Sequence, residues 1–483
     1  MLIYFIISIP VIAACSAGFI NNKRAAGTVN ALAHTVNFLI VLTVIAKQPV
    51  LSFPRFFLID ELSLFFLLTI TAITMASAWY SIGYIENDLD NKIITPKQSK
   101  IYYILFNLFS FSMLFAVVQD NLGLLWVSIE MTTLASAFLV GFYNNKKSVE
   151  AAWKYIIICS VGISLALLGT ILLYYAVAEL GLIKSLDWSE IMTVAKNLNP
   201  NIIKTMFIFI LAGYGTKSGL ALMHSWLPDA HSQAPAPISA LLSGVLIKTS
   251  LYAILRFAII TDTAVGSGFT QHLFLIFGLA SVGLAAGFIL VQKDIKRLLA
   301  YSTIEHMGII LIGLGFGGFA GCYGALFHLF NHAAGKAFMF FSAGSIVKIY
   351  GTHKLARIRG IIKLLPFTGG LLILAVFALC GVPPFSIFFS ELIILSAGFA
   401  GSAYISISLT LLFLALAFGG LVFHFSRAVF GKIPENIKSS SLTPIEKTVL
   451  TLLFIVLLVL GLYMPPGMHR LISGAAVLVS GCI

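Results

Sequence analysis

Apolar runs of about twenty residues, each long enough to cross a bilayer, recur along the whole 483-residue chain and leave little else from which to build a fold. Hydrophobic residues make up 59% and charged residues 10% of the sequence, and the mean hydropathy is +1.01. A soluble domain carries about 25% charge, so this chain has no polar surface with which to cover a globule. The fold class expected is an all-α polytopic membrane protein. The runs lie near 1–20, 28–46, 60–83, 101–118, 121–142, 151–178, 202–223, 236–260, 270–291, 298–316, 319–348, 366–399, 403–428 and 447–464, roughly fourteen spans by hydropathy. Met1–Ile20 lacks a basic flank before it and a small-residue cleavage site after it, and reads as a first span, not a cleaved signal. The apolar tail after Pro465 and Pro466 is short enough to lie along the membrane surface.

The net charge of +12 does not point to nucleic acid, because the basic residues sit in short connections between runs. Lys23 and Arg24, then Lys92, Lys97 and Lys100, then Lys146 and Lys147 follow the first, third and fifth spans. Lys293, Lys296 and Arg297, then Lys348, Lys354, Arg357, Arg359 and Lys363, then Arg427, Lys432 and Lys438 follow the ninth, eleventh and thirteenth. The intervening connections hold few, such as Lys47, Arg55, Lys184 and Lys196. Lys and Arg concentrate on the cytoplasmic side, so both termini are expected outside the cytoplasm. Cys15, Cys159, Cys322, Cys380 and Cys482 are scattered without a C-x-x-C pair, and no zinc or iron–sulfur site is expected. No G-x-x-x-x-G-K-[ST] loop occurs, which argues against nucleotide hydrolysis. The energy source is then a gradient or a partner.

Ionisable residues inside such runs cost about 2.5–3.5 kcal/mol each if they face lipid, and are expected to face protein or water. Glu130 lies in the fifth span, Lys217 in the seventh, Lys248 in the eighth, His306 in the tenth and Glu391 in the twelfth. His328, His332 and Lys336 recur every four residues in the eleventh and share one helix face. Burial disfavours the ammonium form of a lysine and a nearby carboxylate restores it, so groups of alternating sign can hand on a proton. The plainer readings are a static Glu130–Lys217 pair, hydrogen-bonded core histidines, and a local pairing of Glu305 with Lys296 or Arg297. His328 and His332 have zinc spacing without an evident third ligand. Asp60 and Glu61 read as solvated residues opening the third span, and Arg256, His424 and Arg427 as snorkelling to the interface. A break is expected after Lys217, around Pro228–Pro237, where His224, Asp229 and His231 either satisfy freed backbone or form a water-filled entrance. A second is expected at Gly381-Val382-Pro383-Pro384.

A faint internal repeat accompanies these breaks. WVSIEMTTLASAFLVGF around Glu130 and YSTIEHMGIILIGLGF around Glu305 and His306 lie five spans apart, as do the two breaks. An odd offset reverses direction across the membrane, which predicts two inverted five-helix units with broken helices seven and twelve. The organisation expected is a three-helix segment over 1–100, a first repeat over 101–260, a second over 270–430, and a last helix with a short tail over 431–483.

The run KSGLALMHSWLPDAHSQAPAPISALLSG from Lys217, followed by LIKTSLYAILRF from Leu246, resembles the signature of the antiporter-like membrane subunits. That family includes the proton-channel subunits of respiratory complex I, Mrp-type sodium/proton antiporters and membrane-bound hydrogenases. YSTIEHMG from Tyr301 and HLFNHAAGKAFMFFSAGSI from His328 resemble two further signatures, and the likeness runs over roughly 60–430. The wording APAPISALLSG and the compact length most resemble the hydrogenase-4 component F group. The resemblance implies fourteen helices with two inverted repeats. It also implies proton-relay roles for Glu130, Lys217, Lys248 and His306, and, through the shorter motif GVPPFSIFFSE, for Glu391. It further implies no cofactor in this chain, membrane and peripheral redox partner subunits, and residence in a prokaryotic cytoplasmic membrane. A secondary Na⁺(K⁺)/H⁺ antiporter subunit without a redox partner, and a silent scaffold subunit, are the rival readings. From the charge alternation, topology reporters fused after Lys147 and after Lys196 should give opposite signals; equal signals would contradict the span assignment.

Overall fold

The computed structural model describes residues 2–20, 22–47, 51–53, 57–434 and 442–481; Arg55, Lys438 and Cys482 lie outside them. Helices α1 (Leu2–Phe19) and α2 (Lys23–Lys47) precede a small antiparallel hairpin, β1 (Leu51–Phe53) and β2 (Phe57–Ile59). The next helices are α3 (Glu61–Asp90), α4 (Pro96–Ala116), α5 (Leu122–Val140) and α6 (Lys146–Leu180). A short α7 (Trp188–Val194) leads to α8 (Pro200–Lys217), α9 (Trp226–Gln233), α10 (Ala236–Leu241), a π-turn (Leu242–Leu246) and α11 (Ile247–Val265). Then come α12 (Ser267–Val291), α13 (Ile295–Phe316), α14 (Gly318–Tyr350), the short α15 (Ile361–Leu364), α16 (Pro366–Leu379) and α17 (Ser386–Ala400). The chain closes with α18 (Tyr404–Phe430), α19 (Pro444–Leu462) and α20 (Pro466–Ser480). Among the described residues, eleven helices are long and apolar enough to cross a membrane. The remaining expected runs fall on α8, α14 and the pair α16–α17. The chain is an integral, all-α membrane protein.

The starts of these helices are written in the sequence. Asp60 accepts from the Ser63 N–H at the start of α3. Thr95 with Gln98, Asn145 with Ser148, and Thr443 with Glu446 form reciprocal caps on α4, α6 and α19, each satisfying amides that a helix start leaves free. Burial then sorts the helices. The most apolar windows of Ala236–Val265 and Ile295–Phe316 are 100% buried, whereas those of Tyr404–Phe430 and Pro444–Leu462 are 28% buried. The centre is therefore α10, α11 and α13, with α14 beside them, and α1, α2, α18 and α19 form the rim. Small residues set the close crossings, as membrane packing requires. A Cβ on Gly213 of α8 would collide with the backbone of Ala166 on α6, so this glycine fixes the crossing one turn before Lys217. The tail does not stand off the bundle: α20 packs on α3 and α14, with a Tyr323–His469 hydrogen bond of 2.9 Å.

Two expectations are corrected by the packing. The first break lies earlier than the prolines. Helix α8 ends at Lys217 itself, the chain turns through Ser218–Ser225, and Trp226–Gln233 is helical again. Pro228 sits in the first turn of α9, where no amide is needed by the helix. Asp60 and Arg256 are the second correction, being neither solvated nor snorkelling. They are buried and paired two-fold, at 2.6 and 2.7 Å. Tyr252 and Ser63 also accept from the guanidinium, at 2.9 Å each, and Trp188 lies 4.7 Å beneath it. Burial pushes the Asp60 carboxyl up, but the Arg256 guanidinium outweighs this and holds it below the usual carboxylate range. The second expected break is where the sequence put it, with Gly381–Phe385 between α16 and α17.

This clamp ties α3 to α11 and to the α7 connection. Removing one partner leaves a buried charge uncompensated, at a cost of about 3–5 kcal/mol. Arg256→Met alone should lower the thermal unfolding midpoint in detergent more than Arg256→Met combined with Asp60→Leu. A single variant as stable as the double would contradict the clamp.

Candidate functional site

The break after α8 creates the first half of the site. Ending the helix frees backbone groups, and in a membrane interior these must be met by protein. The Trp226 indole donates to the Thr216 carbonyl at 2.8 Å, and the Ala221 amide donates to Ser281 Oγ at 2.9 Å. Lys217, last residue of α8 and fully buried, projects toward α5 and α6. Its Nζ donates to Thr133 Oγ1 at 2.8 Å and to the Tyr155 hydroxyl at 2.5 Å. Thr133 Oγ1 in turn donates to Glu130 Oε2 at 3.2 Å, and Ser160 donates to Glu130 Oε1 at 3.0 Å. Glu130 and Lys217 are thus joined through one hydroxyl, with no direct ion pair among the described residues. Tyr155, hydrogen-bonded to Ser136 at 2.7 Å, completes the shell. Thr133, Tyr155 and Ser160 carry no local signal in the sequence, since hydroxyls in apolar helices are common.

The second cluster forms around Lys248, buried at the start of α11. The π-turn before it loosens the helix, and Lys248 Nζ takes up the Ser243 and Gly244 carbonyls at 3.2 and 2.6 Å. A π-turn of this kind is a recurrent device at functional sites. Ser243 also bonds Thr303 of α13 at 2.7 Å. The three spaced residues of α14, His328, His332 and Lys336, are all buried and share a face. His306 of α13 stacks on His328 at a ring-centroid distance of 5.1 Å and lies tilted against His332 at 4.8 Å. His306 Nδ1 and His328 Nε2 are 2.9 Å apart, and His328 Nδ1 meets Ser390 of α17 at 3.0 Å. Lys336 Nζ donates to the Leu299 carbonyl at 3.0 Å. Lys248 lies within electrostatic reach of all three histidines.

Glu391 reaches back from α17 toward Gly381, whose missing side chain leaves room for the carboxylate at the break. One carboxylate oxygen of Glu391 and one ring nitrogen each of His306 and His328 lie within 4.8 Å of one another, a trio that does not include His332. That trio has a metal-binding composition, but its two nitrogens already engage each other and both lysines, Lys248 and Lys336, oppose a cation there. Pro383 and Pro384 stand in the break on the far side of Gly381.

The residues grouped as an entrance separate. Asp229 bridges Arg297 at 2.5 Å and Lys154 at 3.4 Å, beside a polar cavity of about 550 Å³ lined also by Lys147 and Asp294. His231, two residues on, is fully buried, stacked on Phe340 at 5.1 Å, and neither ring nitrogen has a hydrogen-bond partner. His224 lies apart, beside the stacked rings of Phe288 and Tyr301. No hydrogen bond joins the Lys217 cluster to Lys248 among the described residues.

With this geometry in hand, likeness to known proteins is specific. Residues 119–417 match the family model described as NADH:quinone oxidoreductase/Mrp antiporter, TM. A hydrogenase-4 component F homolog of Methylacidiphilum infernorum is 36% identical over 479 residues, covering 98% of this chain and 99% of that protein. A putative antiporter subunit mnhD2 of Staphylococcus aureus is 30% identical over 417 residues, 85% of this chain and 79% of that protein. A chain in the structure of an archaeal membrane-bound sulfane sulfur reductase superposes with a TM-score of 0.88 over 99% of this chain and 97% of its own, at 23% identity, and so shares the fold. The family match spanning both clusters and the full-length relative together place this chain in the NADH:quinone oxidoreductase/Mrp antiporter family of membrane proteins.

Proposed function

We propose that this chain is a proton-translocating membrane subunit of a multisubunit energy-converting oxidoreductase of the membrane-bound hydrogenase or complex I type. The observation that carries the reading is the Thr133 hydroxyl, which accepts from Lys217 and donates to Glu130. A hydroxyl used in both directions is the unit from which a proton wire is built, and a static pair would need none. Lysine can exist charged or neutral when desolvated, which suits it to loading and release. Protons enter from the cytoplasmic face beside Asp229, pass Glu130 and Lys217, and continue by Lys248, His306, His328, His332 and Lys336 to Glu391. Electron transfer in partner subunits shifts charge along this line. The redox centres belong to those partners, and this chain carries no cofactor of its own.

The same reading takes the topology as fourteen crossings with two inverted five-helix repeats, over 101–260 and 270–430, flanked by the 1–100 segment and the last helix. It puts both termini outside the cytoplasm of a prokaryotic cell, in the cytoplasmic membrane. The apolar rim of α1, α2, α18 and α19 meets lipid and neighbouring membrane subunits, through which peripheral redox subunits are reached. The full-length relative named as a hydrogenase component supports the hydrogenase type. The antiporter-named relative keeps ion exchange without a redox partner as the second reading.

The two are separated in vesicles carrying the whole complex. Addition of an electron donor should drive proton movement that persists without sodium or potassium; movement driven only by an imposed cation gradient would favour the antiporter. Within the same assay, Thr133→Val, which keeps shape and removes the shared hydroxyl, should lower protons moved per electron by about tenfold or more. Thr133→Ser should restore it. Equal pumping by Thr133→Val and the unaltered protein would count against the wire.

A further inference from the structure

Glu305 is a buried ionisable residue that the relay above leaves unused. Local pairing with Lys296 or Arg297 does not occur. Lys296 Nζ donates to the Ala234 carbonyl at 2.7 Å, and Arg297 is engaged by Asp229. Glu305 is 4% exposed, and its Oε2 has no hydrogen-bond partner among the described residues. The titratable groups within its electrostatic reach come from three other helices: Lys336 of α14, Cys380 following α16, and Glu391 of α17. A carboxylate with an open oxygen in an apolar interior is costly unless it is balanced by charge or carries a proton. Lys336 supplies the balance, and it is anchored to the same helix as Glu305 through the Leu299 carbonyl, 3.0 Å away.

The sequence makes an independent case. Trp126-Val127-Ser128-Ile129-Glu130 and Tyr301-Ser302-Thr303-Ile304-Glu305 align residue for residue in the internal repeat, so Glu305 occupies the place of Glu130. Glu130 is joined to a buried lysine in the first cluster, and Glu305 lies within electrostatic reach of the buried Lys336 in the second. We propose that Glu305 is a proton-carrying residue of the second half, exchanging a proton with Lys336 and delivering it toward Glu391. In the exchange the Lys336 ammonium gives one proton to the Glu305 carboxylate, leaving a neutral amine and a neutral acid. The acid then gives that proton to the Glu391 carboxylate and returns to its charged form. The Lys248–histidine cluster reloads Lys336. No oxidant or further reactant is needed.

The proposal rests on the proton-conducting reading, and the test separates the two. Vesicles carrying the whole complex with Glu305→Gln, Glu305→Asp or Thr133→Val are compared for protons moved per electron, with assembly checked on the same membranes. Glu305→Gln, nearly identical in shape, should lose about tenfold or more, whereas Glu305→Asp, which keeps the carboxyl, should retain most of the ratio. Normal pumping by Glu305→Gln beside impaired Thr133→Val would overturn the role of Glu305 and leave the conduction reading standing. Normal pumping by both would overturn both. Equal loss by Glu305→Asp and Glu305→Gln in assembled complexes would mark a packing role and overturn the proposal. Where Glu305→Gln does not assemble, infrared difference spectra between oxidised and reduced complex decide. A carboxylic-acid carbonyl band should shift in Glu305→Asp, and an unshifted band would overturn the proposal.

Discussion

A charged group in the middle of a bilayer must be held by protein or water, and the structure meets that demand for Lys217 through two hydroxyls, those of Thr133 and Tyr155. Helix α8 stops at this lysine, so its ammonium leaves the end of a helix instead of the side of one. Cations are favoured at helix C-termini by the helix dipole. The turn that follows is closed by Trp226 and Ser281, and those two bonds are what allow an interrupted helix at membrane depth.

The same logic recurs around Lys248 by a different device. There a π-turn, not a break, releases the Ser243 and Gly244 carbonyls that hold the ammonium. The two central windows, over α10–α11 and α13, are wholly buried, so the polar groups on them face protein and not lipid. The result is an axis of lysines, histidines and carboxylates enclosed by apolar rim helices. The Asp60–Arg256 clamp holds one end of α11 against α3, which keeps the helix carrying Lys248 in place.

Much of this was legible from residues alone. Apolar run length gave the helices, charge in the connections gave their expected alternation, and ionisable residues inside runs marked Glu130, Lys217, Lys248, His306 and Glu391. The i, i+4, i+8 spacing put His328, His332 and Lys336 on one face. What was not legible depends on contacts between distant helices. Nothing local distinguishes Thr133 or Tyr155 from other hydroxyls in apolar helices, and Glu391 completing a trio with His306 and His328 requires α13, α14 and α17 to converge. Arg256 looked like a snorkelling residue because its partner, Asp60, is 196 residues away. The first break was misplaced for a local reason. Prolines mark breaks in helix interiors, but Pro228 sits in a first turn, and the interruption is made by Gly219 and Leu222 with positive φ of 71° and 73°.

In the proposed function Lys217 switches between charged and neutral forms and is not a structural pin. Lys217→Arg retains a cation beside Glu130 but cannot shed its proton, since the guanidinium stays charged. The decisive measurement is proton pumping coupled to electron transfer by whole complexes carrying Lys217→Arg, beside Lys217→Met, with assembly confirmed on the same membranes. A switching lysine predicts that both variants assemble and that both lose pumping. Normal pumping by Lys217→Arg, with poor assembly of Lys217→Met, would contradict the account and make Lys217 a pin.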